Sequence, residues 1–260
     1  MGQESQMAGV GGIGGLELRP EGLPAPQGLY DVARDHDACG IGLYANINNL
    51  PSHAIIESGL TILKNLEHRG AVGADPKAGD GAGIMTQLPH DFFLAEAERL
   101  KFRLPAPGQY GVGYLFMPRE AVLRQEIERI WRETAIEEGL RVIGWRDVPV
   151  DDSVLGVTVK KTEPWHRQMF ITAGPTIRDE IHFERKLFVC RKVVSNRVIE
   201  VLGRSARGYY PVSVSTRTIV YKGLVLGKDL GAYYRDLADA KFASALALVH
   251  QRFSTNTFPA

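Results

Sequence analysis

Asp35-His36-Asp37-Ala38-Cys39-Gly40-Ile41-Gly42-Leu43-Tyr44-Ala45 decides the fold. From Cys39 onward it is a short apolar run of strand length. The glycines inside it mark a place where another group must approach the backbone closely. The chain before it is different in kind. Residues 1–15 are rich in glycine and contain no Lys or Arg, and Arg19, Pro20, Gly22, Pro24, Pro26 and Gly28 follow. Such a segment cannot bury enough apolar surface to offset the entropy of ordering it. We therefore expect a disordered leader over residues 1–38 and a folded domain over 39–260. The leader has neither the basic start and apolar centre of a secretory signal nor the arginines of a mitochondrial transit peptide.

Composition narrows the classes of function. The chain has 260 residues, 44% hydrophobic and 23% charged, ordinary values for a globular protein with one large core. Lys and Arg total 31 against 30 Asp and Glu, a net charge of +1, which gives no electrostatic reason to expect nucleic acid or an anionic membrane as partner. Two cysteines, Cys39 and Cys190, are no disulfide framework, so a reducing, cytoplasmic setting is expected. No Cys or His spacing suits a metal, and no uncharged apolar run is long enough to span a bilayer.

Helix and strand patterns alternate from Cys39 onward. Ile55, Gly59, Ile62, Leu63 and Leu66 recur on one helical face, with Ser52 as a candidate cap and Gly70 beyond the end. Gly79-Asp80-Gly81-Ala82-Gly83 reads as a turn leading into a strand at residues 84–88, and residues 91–101 read as a helix. A strand is expected at residues 110–117 and a helix at 119–138 stopped by Gly139, with Ile127, Ile130, Trp131 and Thr134 on its buried face. Strands are expected at residues 142–145, 155–159, 218–224 and 245–249. A long helix is expected at residues 179–202, with Leu187, Cys190, Val194, Val198 and Val201 on its apolar stripe. No glycine-rich phosphate loop joins a strand to a helix, so a nucleotide-binding α/β fold has no support.

On residue chemistry alone, Cys39 has two readings. Free cysteine is often a small buried hydrophobe. Alternatively, removal of the leader would leave a thiol and a free α-amine on one residue. That amine, with an ordinary pKa of about 8, can take the thiol proton and activate the nucleophile. Cys190, on an apolar helical stripe, reads as core. Asp80 reads as turn chemistry, and His250 as a structural histidine at a strand end.

The residues around Cys39 resemble the class II glutamine amidotransferase domain of glutamate synthases. Six blocks carry the resemblance, in the family's order: Cys39-Gly40-Ile41-Gly42; His68-Arg69-Gly70-Ala71-Val72-Gly73-Ala74-Asp75; Gly79-Asp80-Gly81-Ala82-Gly83-Ile84; Phe183-Glu184-Arg185-Lys186-Leu187; the run from Ser215 to Gly223; and His250-Gln251-Arg252-Phe253-Ser254-Thr255-Asn256-Thr257-Phe258-Pro259. The resemblance implies an α+β fold, the four-layer αββα sandwich of N-terminal nucleophile hydrolases. It implies that residues 1–38 are a propeptide and that Cys39 attacks L-glutamine to release glutamate and ammonia. Arg252 and Thr255 are then expected to hold the substrate α-carboxylate, for which a guanidinium offers a bidentate fork. Arg69 is expected to shape the site beside Cys39.

The same resemblance implies no cofactor in this segment, with flavin mononucleotide (FMN) and an iron–sulfur cluster in the remainder of the subunit. There ammonia would aminate 2-oxoglutarate. Expected partners are the other domains of that subunit and a small electron-transferring subunit; the electron donor is left open. In the family an Asn-Gly pair forming the oxyanion hole follows the Pro259 segment, so the sandwich is expected to be incomplete at the C-terminus and the segment alone poorly active. A catalytically inactive fragment and an N-terminal nucleophile hydrolase acting on another amide are the competing readings.

Overall fold

The computed structural model describes residues 40–70 and 75–251. The first strand, β1 (Gly40–Ala45), leads to α1 (His53–Asn65) and a 3-10 turn at Glu67–Arg69. β2 (Ala82–Gln87) and α2 (His90–Arg99) follow, then β3 (Tyr110–Met117), α3 (Ala121–Glu137), β4 (Leu140–Asp147) and the short α4 (Val157–Lys160). The chain continues through β5 (Trp165–Ala173), α5 (Glu180–Leu202), β6 (Tyr210–Ser215), β7 (Thr218–Gly223), the short α6 (Leu230–Tyr233) and β8 (Leu246–Gln251).

Among the described residues the strands form two four-stranded sheets, in the orders β1-β8-β2-β7 and β4-β5-β3-β6, and every pairing is antiparallel. The architecture is α+β, with each sheet carrying helices, as the resemblance implied. The second sheet with its helices runs β-α-β-β-α-β, the split-βαβ arrangement. Tyr110, Val112 and Tyr114 of β3 and Phe170 of β5 share one core with residues of the first sheet such as Ile84 and Val249.

Alternation along the strands decides what each face buries. Leu115 and Met117 of β3 and Met169 and Ile171 of β5 are fully buried beneath α3 and α5, where they meet Ile127, Trp131, Leu187, Cys190 and Val194. Val198 joins this stripe, but Val201 is 54% exposed, and Leu202 packs against the core in its place. Asp179 caps α5 by accepting from His182 N–H at 2.7 Å, and Gly139 ends α3 in a left-handed conformation that a side chain would strain. Ser52 sits at the start of α1 without a side-chain cap; its backbone bridges Ser244 instead.

α1 approaches the first sheet closely because glycines meet there. A Cβ on Gly59 would lie 2.8 Å from the Cβ of Ala247, and one on Gly42 would run into Ile62. The inner face of the second sheet is polar in a controlled way. Arg146 of β4, 3% exposed, donates two hydrogen bonds of 2.7 Å to the Asp236 carboxylate, which also accepts from Tyr221 O–H at 2.7 Å. Gln168 of β5 accepts from Arg146 and donates to Tyr221. His166 lies between the Tyr114 and Tyr233 hydroxyls at 2.8 and 2.7 Å. This network ties the second sheet to the segment 230–238 that feeds β8.

Two sequence expectations need correction. Residues 155–159 are not a strand: Leu155 is buried after a 3-10 turn at Asp152–Val154, and Val157 opens α4. β5 and β6 were not anticipated. In β5 one buried face carries His166, Gln168 and Thr172, polar residues that read as a solvent face until their partners are seen: tyrosines for His166, Arg146 and Tyr221 for Gln168, and the Arg141 carbonyl for Thr172.

Candidate active site

Cys39, Arg252 and Thr255, the expected nucleophile and carboxylate grip, lie outside the described residues, as do residues 71–74. Their immediate neighbours are described. Gly40 pairs directly with Gln251, and Gln251 pairs on its other side with Ala82, which in turn pairs with Gly223. The row Gly40, Gln251, Ala82, Gly223 is one end of the first sheet. The residue after Cys39 is thereby set against the residue before Arg252. Antiparallel pairing sets this register, and a slip of one residue would turn every side chain of β1 to the opposite face.

Three turns surround that end. The first is Glu67–Arg69 with Gly70, held by Arg69 N–H to Leu66 O at 2.8 Å and Gly70 N–H to Glu67 O at 3.0 Å. Arg69 is half-buried, and its Cβ would be 3.2 Å from a Cβ on Gly40. The stem of Arg69 thus lies beside the start of β1. The second turn carries Asp80 and Gly81 into β2; Gly81 has φ +107°, which only glycine adopts without strain. Gly79 packs closely on Leu226. The third turn is Gly227–Asp229, where Lys228 pairs with Glu67 at 2.6 Å across the surface.

Five of the six sequence blocks meet at this end of the first sheet: Gly40–Gly42, the His68–Gly70 turn, the Gly79–Ile84 segment, the end of β7 and the end of β8. The sixth, Phe183–Leu187, is on α5. Its Glu184 accepts from Ser215 Oγ at 2.9 Å and also from Thr216 N–H, pinning the turn between β6 and β7. That block is a structural staple, and the spacing of the motifs alone did not reveal the division.

Cys190 is buried in the second core, and burial pushes its thiol up to about 12, which rules it out as a thiolate nucleophile. The His250 imidazole is half-buried, and burial lowers its pKa. No group of three or more His, Cys, Asp or Glu among the described residues could hold a metal ion. No helix among them is long and apolar enough to cross a membrane. Gln251 was not singled out from the sequence. Its signals there are its place in the His250–Pro259 block and its polarity at the close of an apolar strand.

Comparison with known proteins gives a concordant picture. The family model for class-II glutamine amidotransferases matches residues 39–260. The glutamate synthase (NADPH) large chain of Bacillus subtilis is 45% identical over 238 residues, 91% of this chain and 15% of the relative. The ferredoxin-dependent glutamate synthase 1 of Arabidopsis thaliana is 37% identical over 254 residues, 96% of this chain and 15% of the relative. The glutamate synthase (NADH) of Schizosaccharomyces pombe is 38% identical over 242 residues, 91% of this chain and 11% of the relative. The chain thus spans about 15% or less of the length of these relatives.

Proposed function

Because the chain belongs to the class-II glutamine amidotransferases, we propose that it is the glutaminase segment of a glutamate synthase, with Cys39 as nucleophile. The observation that carries this reading is the register at one sheet end. Gly40, which follows Cys39, lies opposite Gln251, which precedes Arg252, with the Arg69 turn packed beside Gly40. The start of the family match at Cys39 supports a boundary there, with residues 1–38 as a leader that is removed.

In this mechanism the α-amine freed on Cys39 takes the thiol proton. The thiolate attacks the side-chain amide carbon of glutamine, and the tetrahedral adduct collapses as the ammonium form of the amine protonates the leaving nitrogen. Ammonia departs and a thioester remains. Water, deprotonated by the same amine, hydrolyses the thioester to glutamate and restores the thiol. Arg252 and Thr255 hold the substrate α-carboxylate, and Arg69 shapes the wall beside the nucleophile.

FMN and an iron–sulfur cluster belong to other parts of such a synthase. The residues here do not fit the cluster, which needs several thiolates, since the chain has two cysteines and Cys190 is buried. The other domains of the subunit and a small electron-transferring subunit are the partners this reading assigns, in the cytoplasm.

The test is Cys39→Ala in the protein with its native flanking sequence. Glutamine-dependent glutamate synthesis is expected to vanish, while synthesis from free ammonia continues. Full glutamine-dependent activity in that variant would overturn the assignment.

A further inference from the structure

Gln251 has no part in the chemistry above, yet it is tightly enclosed at that sheet end. Its side chain is 2% exposed, and its Oε1 has no hydrogen-bond partner among the described residues. The described neighbours of the amide hold it by close packing. Two glycines form its seat. A Cβ on Gly70 would collide with Nε2, and a Cβ on Gly227 would collide with Oε1. On the third side, a Cβ on Gly40 would lie 3.3 Å from the Cβ of Gln251. The side chain is wedged between the turn that carries Arg69 and the turn at Gly227–Asp229.

We propose that Gln251 is a positioning residue for the glutamine site: by its shape it sets the spacing between the Arg69 turn and the end of β8, from which Arg252 follows by one peptide bond. This rests on the reading of Arg252 as the carboxylate grip. It explains why glycine stands at positions 70 and 227, and why the His68-Arg69-Gly70 and His250-Gln251-Arg252 blocks belong together. A wedge that works by volume has a distinctive signature. Removing it loosens the substrate grip, an apolar side chain of similar length replaces it, and a methyl group added to its seat displaces it.

The experiment is steady-state glutaminase kinetics on the protein with its native flanking sequence. Gln251→Ala is expected to raise KM for glutamine about tenfold with kcat within about twofold, since small misplacements of binding groups cost such factors. Gln251→Met should restore KM to near the wild-type value. Gly227→Ala should raise KM in the wild-type background but add little in the Gln251→Ala background, where the clash with the amide is gone and the Leu63 carbonyl oxygen at 3.2 Å is the close neighbour left.

A normal KM in Gln251→Ala, or a KM in Gln251→Met as high as in Gln251→Ala, would overturn the proposal. If Gln251→Ala does not fold, Gly227→Ala carries the test, and an unchanged KM in it would also overturn the proposal. The Cys39→Ala control separates the two levels. If it abolishes glutamine hydrolysis while the Gln251 and Gly227 variants are unaffected, only the positioning role fails.

Discussion

Gly40 stands directly opposite Gln251 in the antiparallel pair of β1 and β8, and Gln251 is at the same time opposite Ala82 of β2. β8 is therefore the central strand of the site end, flanked by the strand that begins after Cys39 and by the strand that the Asp80-Gly81 turn introduces. On the proposed reading, Cys39 as nucleophile and Arg252 as carboxylate grip each adjoin one member of the Gly40–Gln251 pair.

Arg146 and Asp236 hold this arrangement from behind. Both are almost fully buried, and the carboxylate accepts from Arg146 and Tyr221 at 2.7 Å. Burial opposes the Arg146 charge, but hydrogen bonding to Asp236 and its charge outweigh that, and the guanidinium pKa is raised. Asp236→Ala leaves a buried cation without its main partner and is expected to cost about 3–5 kcal/mol. Replacing both residues by leucine and methionine should cost much less, as read by urea denaturation. Equal loss in the single and double variants would show that the pair is not the source.

His166 makes stability depend on pH. Tyr233 O–H donates to Glu163 at 2.8 Å, so His166 Nε2–H donates to Tyr233, and Nδ1 faces the Tyr114 hydroxyl. Burial, aided by the charge of Arg119, lowers its pKa from 6.5 to about 3. The unfolded chain therefore binds a proton that the folded chain refuses between those values. Stability is complete above pH 6.5 and falls as pH drops toward 3, by about 2 kcal/mol at pH 5. Glu96, held down to about 2 by hydrogen bonds to Arg99 and then Arg146, adds its own loss only below its ordinary value of 4.5. His166→Gln should flatten the profile between pH 5 and 6.5 in urea melts at several pH values; an unchanged slope there would exclude His166 as the source.

Gly59 reverses the usual helix rule. Alanine in place of glycine inside a helix ordinarily gains about 1 kcal/mol. Here the new methyl group would lie 2.8 Å from Ala247 Cβ, and such overpacking costs about 1–3 kcal/mol. Gly59→Ala is expected to lower the thermal midpoint, and adding Ala247→Gly to recover part of the loss. A rise in midpoint from Gly59→Ala alone would mean that α1 has room to move off the sheet.

Glu184 pins the turn between β6 and β7 by accepting from Ser215 Oγ and Thr216 N–H. Glu184→Ala leaves that turn's donors to water and should cost about 1–3 kcal/mol. Its KM for glutamine should stay unchanged, because the turn lies at the far end of β7 from Gly223. A raised KM would place this block in the site after all.

Much of this was legible in the sequence, for identifiable reasons. The helices at α1, α3 and α5 follow from apolar residues at helical spacing and from stops such as Gly139. β1, β3 and β8 follow from apolar runs. β5 was hidden because one buried face carries His166 and Gln168, whose partners Tyr114, Tyr221, Tyr233 and Arg146 come from other parts of the chain. Residues 155–159 looked like a strand because Val157 and Val159 alternate with Leu155, yet Asp75 caps that segment as a helix by accepting from Thr158 N–H and Oγ1. The cluster of motif blocks at one sheet end was foreshadowed by their resemblance to a family. Gln251 was not, since a wedge is defined by the glycines around it rather than by its own sequence context.

Whether Cys39 acts with its own α-amine is read from the N-terminus of the mature protein. Intact mass and N-terminal sequencing of the chain, expressed with its native flanking sequence, should show a start at Cys39. A mature protein that starts at Met1 or Gly2 and still hydrolyses glutamine would contradict the account, because the amine would be blocked and the thiol would have to be activated by some other base.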